Sequence, residues 1–210
     1  MPDLSIERGC TGIVAGIDEA GRGPWAGPVV AAAVILPAHP PQSLRTGLDD
    51  SKKLSASRRE FLLGAISACS DVGIGAASVF EIERDNILAA TYSAMRRAVA
   101  GLPIMPDTAL IDGNQLPPNL PCAGRSIIKG DSLSLSIAAA SIVAKVTRDR
   151  IMTALALRYP AFGWERNAGY GTRQHQDGLA TTGVTPHHRR SFAPITKILS
   201  LGESGSQDLV

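Results

Sequence analysis

The sequence predicts an α/β fold, with helices packed on the faces of a mixed sheet. Two observations carry that reading. Apolar runs come first as a meander and then alternate with segments of helical period. Carboxylates stand where strand-like runs stop, at Asp18, Glu19 and Asp112, and again before the longest helical segment, at Asp131. In open α/β sheets such ends are where sites form.

Ile13 to Ile17 is a short apolar run that ends at Asp18 and reads as a buried strand. Gly21 to Gly27 is a turn rich in Gly and Pro, and Pro28 to Leu36 a second strand, so the pair predicts a hairpin. His39 to Asp50 is a proline-marked loop. Ser57 with Glu60 matches a capping box, and Phe61, Leu62, Ala65 and Ile66 give a helical stripe behind it. Val72 to Val79 is a third strand. Ile87 to Leu102 is a helix, with Leu88, Tyr92, Met95 and Val99 on one face. Thr108 to Asp112 and Ser126 to Ile128 are short strands, and Ser132 to Leu157 is a long, alanine-rich helix. Beyond Pro160 the texture changes: a loop from Gly163 to Gly171, a helix capped by Thr172, a basic stretch from Pro186 to Ser191, and a last helix from Ser191 to Leu201. The reading is a catalytic unit over 1–200, with a core of about 12–158, a C-terminal helical part of about 159–200 and a disordered tail at 201–210.

Composition supports a buried core, since 44% of the 210 residues are hydrophobic and 19% charged. Only 4% are aromatic, so the core must close through small side chains. A net charge of +2 is too mild to argue for nucleic acid, and the basic clusters, including Lys145, Arg148, Arg189 and Arg190, read singly as solvated faces. Cys10, Cys69 and Cys122 show no C-x-x-C spacing, which argues against a zinc site or disulfide framework. With no leader-like start and no apolar run of spanning length, a cytoplasmic protein away from membranes is expected.

Each carboxylate has an ordinary explanation: a turn for Asp18 and Glu19, a hairpin for Asp112-Gly113, a helix cap for Asp131. Together they describe acids at the ends of buried strands, desolvated and repelling one another unless a cation neutralises them. An all-oxygen set favours Mg²⁺ or Mn²⁺ over Zn²⁺. Paired hard cations suit in-line phosphoryl transfer. Gly21-Arg22-Gly23 fails as a dinucleotide fingerprint, because the next glycine is Gly27 and a strand, not a helix, follows. Beyond a tight turn, such glycines allow main-chain approach to a ligand such as a ribose 2′-hydroxyl.

The segments GIDEAGRGPWAGPVVAAAVIL (16–36), DSKKLS (50–55), IDGN (111–114), KGDSLSLSIAAASIVAKVTRD (129–149), GYGT (169–172) and HRRSF (188–192) resemble the ribonuclease HII family. The resemblance spans residues 16–192 and implies a ribonuclease H-like fold, a central mixed sheet of about five strands with a C-terminal helical extension. It implies a metal-binding quartet of Asp18, Glu19, Asp112 and Asp131. It implies that Gly21, Arg22 and Gly23 read the 2′-hydroxyl, and that Tyr170 packs on the neighbouring deoxynucleotide sugar. Lys52 and Lys53 are assigned to phosphates. Lys145, Arg148 and Asp149 also match, with a structural use open, and His187, His188 and Arg190 stay unassigned. Too few residues precede the first strand for the extra domain of the related type III enzymes, so type II is expected.

The implied activity is endonucleolytic cleavage of RNA in an RNA·DNA hybrid, or 5′ to a single ribonucleotide in DNA, leaving 5′-phosphate and 3′-hydroxyl ends. A monomer is expected. Gln207-Asp208-Leu209-Val210 faintly resembles a sliding-clamp peptide but lacks its aromatic or Leu-Phe anchor. The rivals are a junction-cutting nuclease on the same fold, a non-catalytic hybrid-binding module and a nucleotide-dependent oxidoreductase.

Overall fold

The structure is a computed structural model that describes residues 1–204, with side chains described as far as Ser200. After a short helix, α1 (Ser5–Arg8), the expected hairpin forms: β1 (Val14–Ala20) pairs antiparallel with β2 (Val29–Ile35), with Gly16 opposite Val34 and Ala20 opposite Val30. The proline-marked loop holds one helical turn, α2 (Gln42–Arg45). The next helix, α3 (Ala56–Cys69), begins earlier than its capping-box pattern predicts. Ser55 is the cap and accepts the Arg58 N–H, which leaves Ser57 inside the first turn.

The third strand, β3 (Asp71–Ala77), stops before Val79. Ser78 there closes a complete capping box with Glu81 and starts α4 (Val79–Asp85), a helix that the sequence reading ran into the strand. Asn86 caps α5 (Ile87–Ala100). Its buried face is Ala90, Thr91, Ala94, Met95, Ala98 and Val99; Leu88, expected on that face, is exposed. Met95 and Val99 lie on the face as expected and Tyr92 packs against the same core, while alanines make up most of the rest of the contact.

β4 (Thr108–Asp112) matches its expected span, while β5 (Ala123–Ile127) begins three residues before the predicted Ser126, on Ala123, Gly124 and Arg125, two small residues and a charge that show no strand period. The long helix, α6 (Leu135–Arg158), starts after its cap Ser134, so Asp131 sits in a 3₁₀ turn, Gly130–Ser132, ahead of it. The C-terminal part contains α7 (Trp164–Asn167), α8 (Arg173–Thr182) and α9 (Ala193–Ser204). The last helix thus runs past the expected boundary at 201, and the clamp-like residues 207–210 lie outside the described residues.

The sheet order is β3-β2-β1-β4-β5, antiparallel on the hairpin side and parallel from β1 to β4 to β5. Both faces are covered, which is why β2 reads as unbroken apolar sequence. Val29, Ala31 and Ala33 pack with α5, while Ala32 and Val34 pack with α6 and α3. Gly16 lets α6 cross β1 at backbone distance, since a Cβ there would lie 2.1 Å from the Ser136 carbonyl carbon. A separate core of Ala26, Met152, Phe162, Trp164, Leu179 and Ile195 joins the C-terminal helices to the glycine turn.

Candidate active site

Parallel pairing sets Ile17 level with Ile111, so the next residues, Asp18 and Asp112, leave neighbouring strands at the same end of the sheet. Asp112 Oδ1 accepts the Gly130 N–H at 2.7 Å, which fastens the turn carrying Asp131 to the end of β4. Lys129 takes a left-handed conformation, φ 57°, to make that turn. Three distant segments therefore converge on one place.

The electrostatics show the convergence. Asp18 is buried, and its carboxyl is held well above the usual carboxylate range by that burial, then by the charges of Glu19, Asp112 and Asp131. The Glu19 N–H, donating to Asp18 Oδ1 at 2.7 Å, works the other way. Glu19 is raised by burial and by Asp112, against an opposing pull from Arg22, its ion-pair partner at 3.4 Å, and from Lys52. Asp131 is raised by burial, Asp112 and Asp50, with Lys52 opposing. Among the described residues, no three acidic, His or Cys side chains yet stand at metal-ligand spacing. An all-oxygen donor set whose members repel one another is the environment a hard divalent cation relieves.

Beside the acids opens a cleft of about 460 Å³, lined by Asp18, Glu19, the Gly21-Arg22-Gly23 turn, Lys52, Lys145 and Tyr170. The Tyr170 ring is half exposed and flanks Gly23, where a Cβ would lie 3.6 Å from it. The two lysines of the DSKKLS segment part company: Lys52 lines the cleft, whereas Lys53 turns to Asp49 at 3.1 Å. Ser141 on α6 donates to the Ser51 hydroxyl at 2.7 Å and holds that segment in place.

Not all the basic residues are solvated. Arg148 and Arg189 are wholly buried, and burial drops their guanidinium pKa values to about 10 and about 9. Nothing local in the sequence marks them, because what buries them is main chain from a distant turn. Lys145 pairs with Asp149 at 2.7 Å, a structural use. His188 is buried against His175 and Thr185, and His187 packs edge-on to Tyr159; neither lines the acidic cleft.

Fold and site define the class: a nuclease with a ribonuclease H-like fold. The chain superposes on the crystal structure of the ribonuclease H2 from Pyrococcus horikoshii OT3 with a TM-score of 0.76 and 27% identity, covering 91% of this chain and 99% of that one. It also matches the ribonuclease HII in the PCNA:RNase HII complex from Archaeoglobus fulgidus, with a TM-score of 0.72 and 27% identity over 86% of this chain and 95% of that one. The sequence model of the Ribonuclease HII family matches residues 15–195, and the Ribonuclease HII of Gluconobacter oxydans (strain 621H) is 58% identical over 95% of this chain and 97% of its own. The chain belongs to the ribonuclease HII family. It is a hydrolase, an endoribonuclease acting on the RNA strand of RNA–DNA hybrids.

Proposed function

We propose that this chain cuts on the 5′ side of ribonucleotides, both in RNA·DNA hybrids and at single ribonucleotides embedded in duplex DNA. Products would carry 5′-phosphate and 3′-hydroxyl ends. One observation supports this most directly: Asp18 is buried while Glu19, Asp112 and Asp131 all bear on its charge. A non-catalytic binder gains nothing from such mutual repulsion facing phosphates.

Divalent-metal dependence goes with the family, and the four carboxylates are the residues that would hold Mg²⁺ or Mn²⁺ here. When bound, such ions supply Lewis-acid activation of water and charge stabilisation at the leaving oxygen. The protein's own groups do the rest. Asp18 and Asp112, leaving neighbouring strands at one end of the sheet, fix where such ions, and through them the reacting phosphate, would sit. Lys52, in the cleft, meets a phosphate, and Lys53 meets one only after leaving Asp49. Tyr170 offers its exposed ring to the sugar next to the ribonucleotide. The archaeal PCNA complex is the ground for considering a clamp partner. No described helix is long and apolar enough to cross a membrane.

The decisive experiment is a duplex containing one ribonucleotide, incubated with Mg²⁺ or Mn²⁺ beside an all-DNA duplex, with the cut mapped to the nucleotide. The proposal expects one cut, 5′ to the ribonucleotide, and none in the DNA control. Cleavage of a DNA junction without ribonucleotides would favour the rival nuclease.

A further inference from the structure

Two buried cations lie beneath the glycine turn. Arg148 and Arg189 are 1% and 0% exposed, and among the described residues neither makes an ion pair. Burying an uncompensated guanidinium is costly, so its hydrogen bonds must answer for it. Every one of them ends on a main-chain carbonyl. Arg189 donates from Nη2 to Gly21 O at 2.5 Å, from Nη1 to Arg22 O at 2.8 Å, and from Nε and Nη2 to Gly27 O at 3.0 and 2.9 Å. Arg148 donates to Ala26 O, Pro28 O and Ala168 O at 3.0, 2.9 and 2.8 Å. The two side chains thus hold carbonyls at both ends of the turn.

The consequence follows from peptide geometry. In a trans peptide the C=O and the next N–H point in opposite directions. With Gly21 O and Arg22 O both drawn inward to Arg189, the N–H groups of Arg22 and Gly23 face away from it, toward the cleft that these residues line beside Asp18 and Glu19. Neither N–H donates to a protein acceptor among the described residues. Gly21 sits at φ +98°, and a Cβ there would lie 1.9 Å from Arg148 Nε, so the turn rests directly on the arginines. The planar fork suits this task as a lysine's point charge does not, because it spans two successive carbonyls at once.

We propose that Arg189 is a positioning residue for ribonucleotide selection: it aims the Arg22 and Gly23 N–H groups at the ribose 2′-hydroxyl without touching substrate. The proposal rests on the function proposed above. A 2′-hydroxyl is absent from DNA, so a defect in this aim falls on ribonucleotide-containing duplex and spares all-DNA duplex. Had the N–H pair served only a phosphate, both duplexes would suffer alike.

The test is binding without turnover, in Ca²⁺, of a single-ribonucleotide duplex and its all-deoxy counterpart to the wild type, Arg189→Lys and Arg189→Met. Both variants should lose about tenfold or more of the wild type's preference for the ribonucleotide, the worth of one or two hydrogen bonds, with all-DNA affinity unchanged. Equal weakening of both duplexes, or an intact preference in folded variants, overturns the inference. A wild type with no preference at all overturns the proposed function instead, and with it the premise. Should neither variant fold, the wild type still decides: the backbone N–H resonances of Arg22 and Gly23 should shift on adding the ribonucleotide duplex and stay put with the all-deoxy one. Equal response to both refutes the assignment.

Discussion

Acidification should destabilise this protein at one buried pair of histidines. Hydrogen bonds fix the tautomers. His188 Nδ1 accepts the Thr185 N–H at 2.9 Å, so His188 carries its proton on Nε2 and donates it to His175 Nε2 at 3.0 Å. His175 in turn carries its proton on Nδ1, facing Tyr170 O at 2.9 Å. A further proton on either ring would set two donors face to face inside an aromatic core. Burial first, then His175, depresses His188 from 6.5 to about 4. Above pH 6.5 the ring is neutral folded or unfolded and contributes no pH dependence. As pH falls below 6.5, the unfolded chain takes a proton that the folded chain refuses. Stability then falls by about 1.4 kcal/mol per pH unit, reaching about 3 kcal/mol near pH 4. Urea unfolding of the wild type and His188→Asn between pH 7.5 and 4 measures it. Asn keeps the acceptor for Thr185, so the variant starts less stable but should close the gap by about 3 kcal/mol as pH drops. The cleft carboxyls Asp18, Glu19 and Asp131 act oppositely, since their raised pKa values stabilise the fold on protonation; they are common to both proteins and cancel. Parallel pH profiles would refute the assignment.

Asp18→Asn should lower cleavage by on the order of 10³-fold or more, equivalent to about 4 kcal/mol of barrier, while raising the thermal midpoint of the metal-free protein, because it deletes the most repelled charge; kinetics with calorimetry on the same sample check both. Lys52→Ala should weaken duplex binding at low salt and make the slope of log K against log salt shallower by up to about 0.9; titrations at several salt concentrations read this directly. Gly16→Val should cost at least about 3 kcal/mol in denaturant unfolding, because its side chain would meet the α6 backbone.

Much of this architecture was legible because the signals were local. The apolar hairpin, the strand into Asp112 and the alanine-rich α6 announce themselves by period and composition. Errors came where small residues or caps decide the outcome. Ser78-x-x-Glu81 is a full capping box, yet the alternation from Val72 runs on to Val79 and masks it as strand. In α5 the expected stripe holds at Met95 and Val99, with Tyr92 packed against the same core, but Leu88 is exposed, and the alanines that fill most of the contact carry no signal of their own. The four acids stand out only jointly: each alone has an ordinary explanation as a turn, hairpin or cap residue, and it is their common placement at the ends of apolar elements that the sequence shows.

The arginines could not be read the same way. A sequence shows a guanidinium only as a charge, and most charges near a helix end or a chain terminus are solvated. What distinguishes Arg148 and Arg189 is that their partners are carbonyls, which every residue owns and no sequence marks. The same turn inserts Trp25 and Ala26 into the C-terminal core, with the Trp25 N–H donating to Gly169 O and the Gly27 N–H to His187 O, both at 2.9 Å. The residues beyond Pro160 therefore clamp the turn from below while the sheet presents its acids from the side. That division fits a C-terminal part that contributes Tyr170 to the cleft, from the connection between α7 and α8, and, among the described residues, no carboxylate. Their work is to hold a backbone still, and it is done through Arg189 and its neighbours.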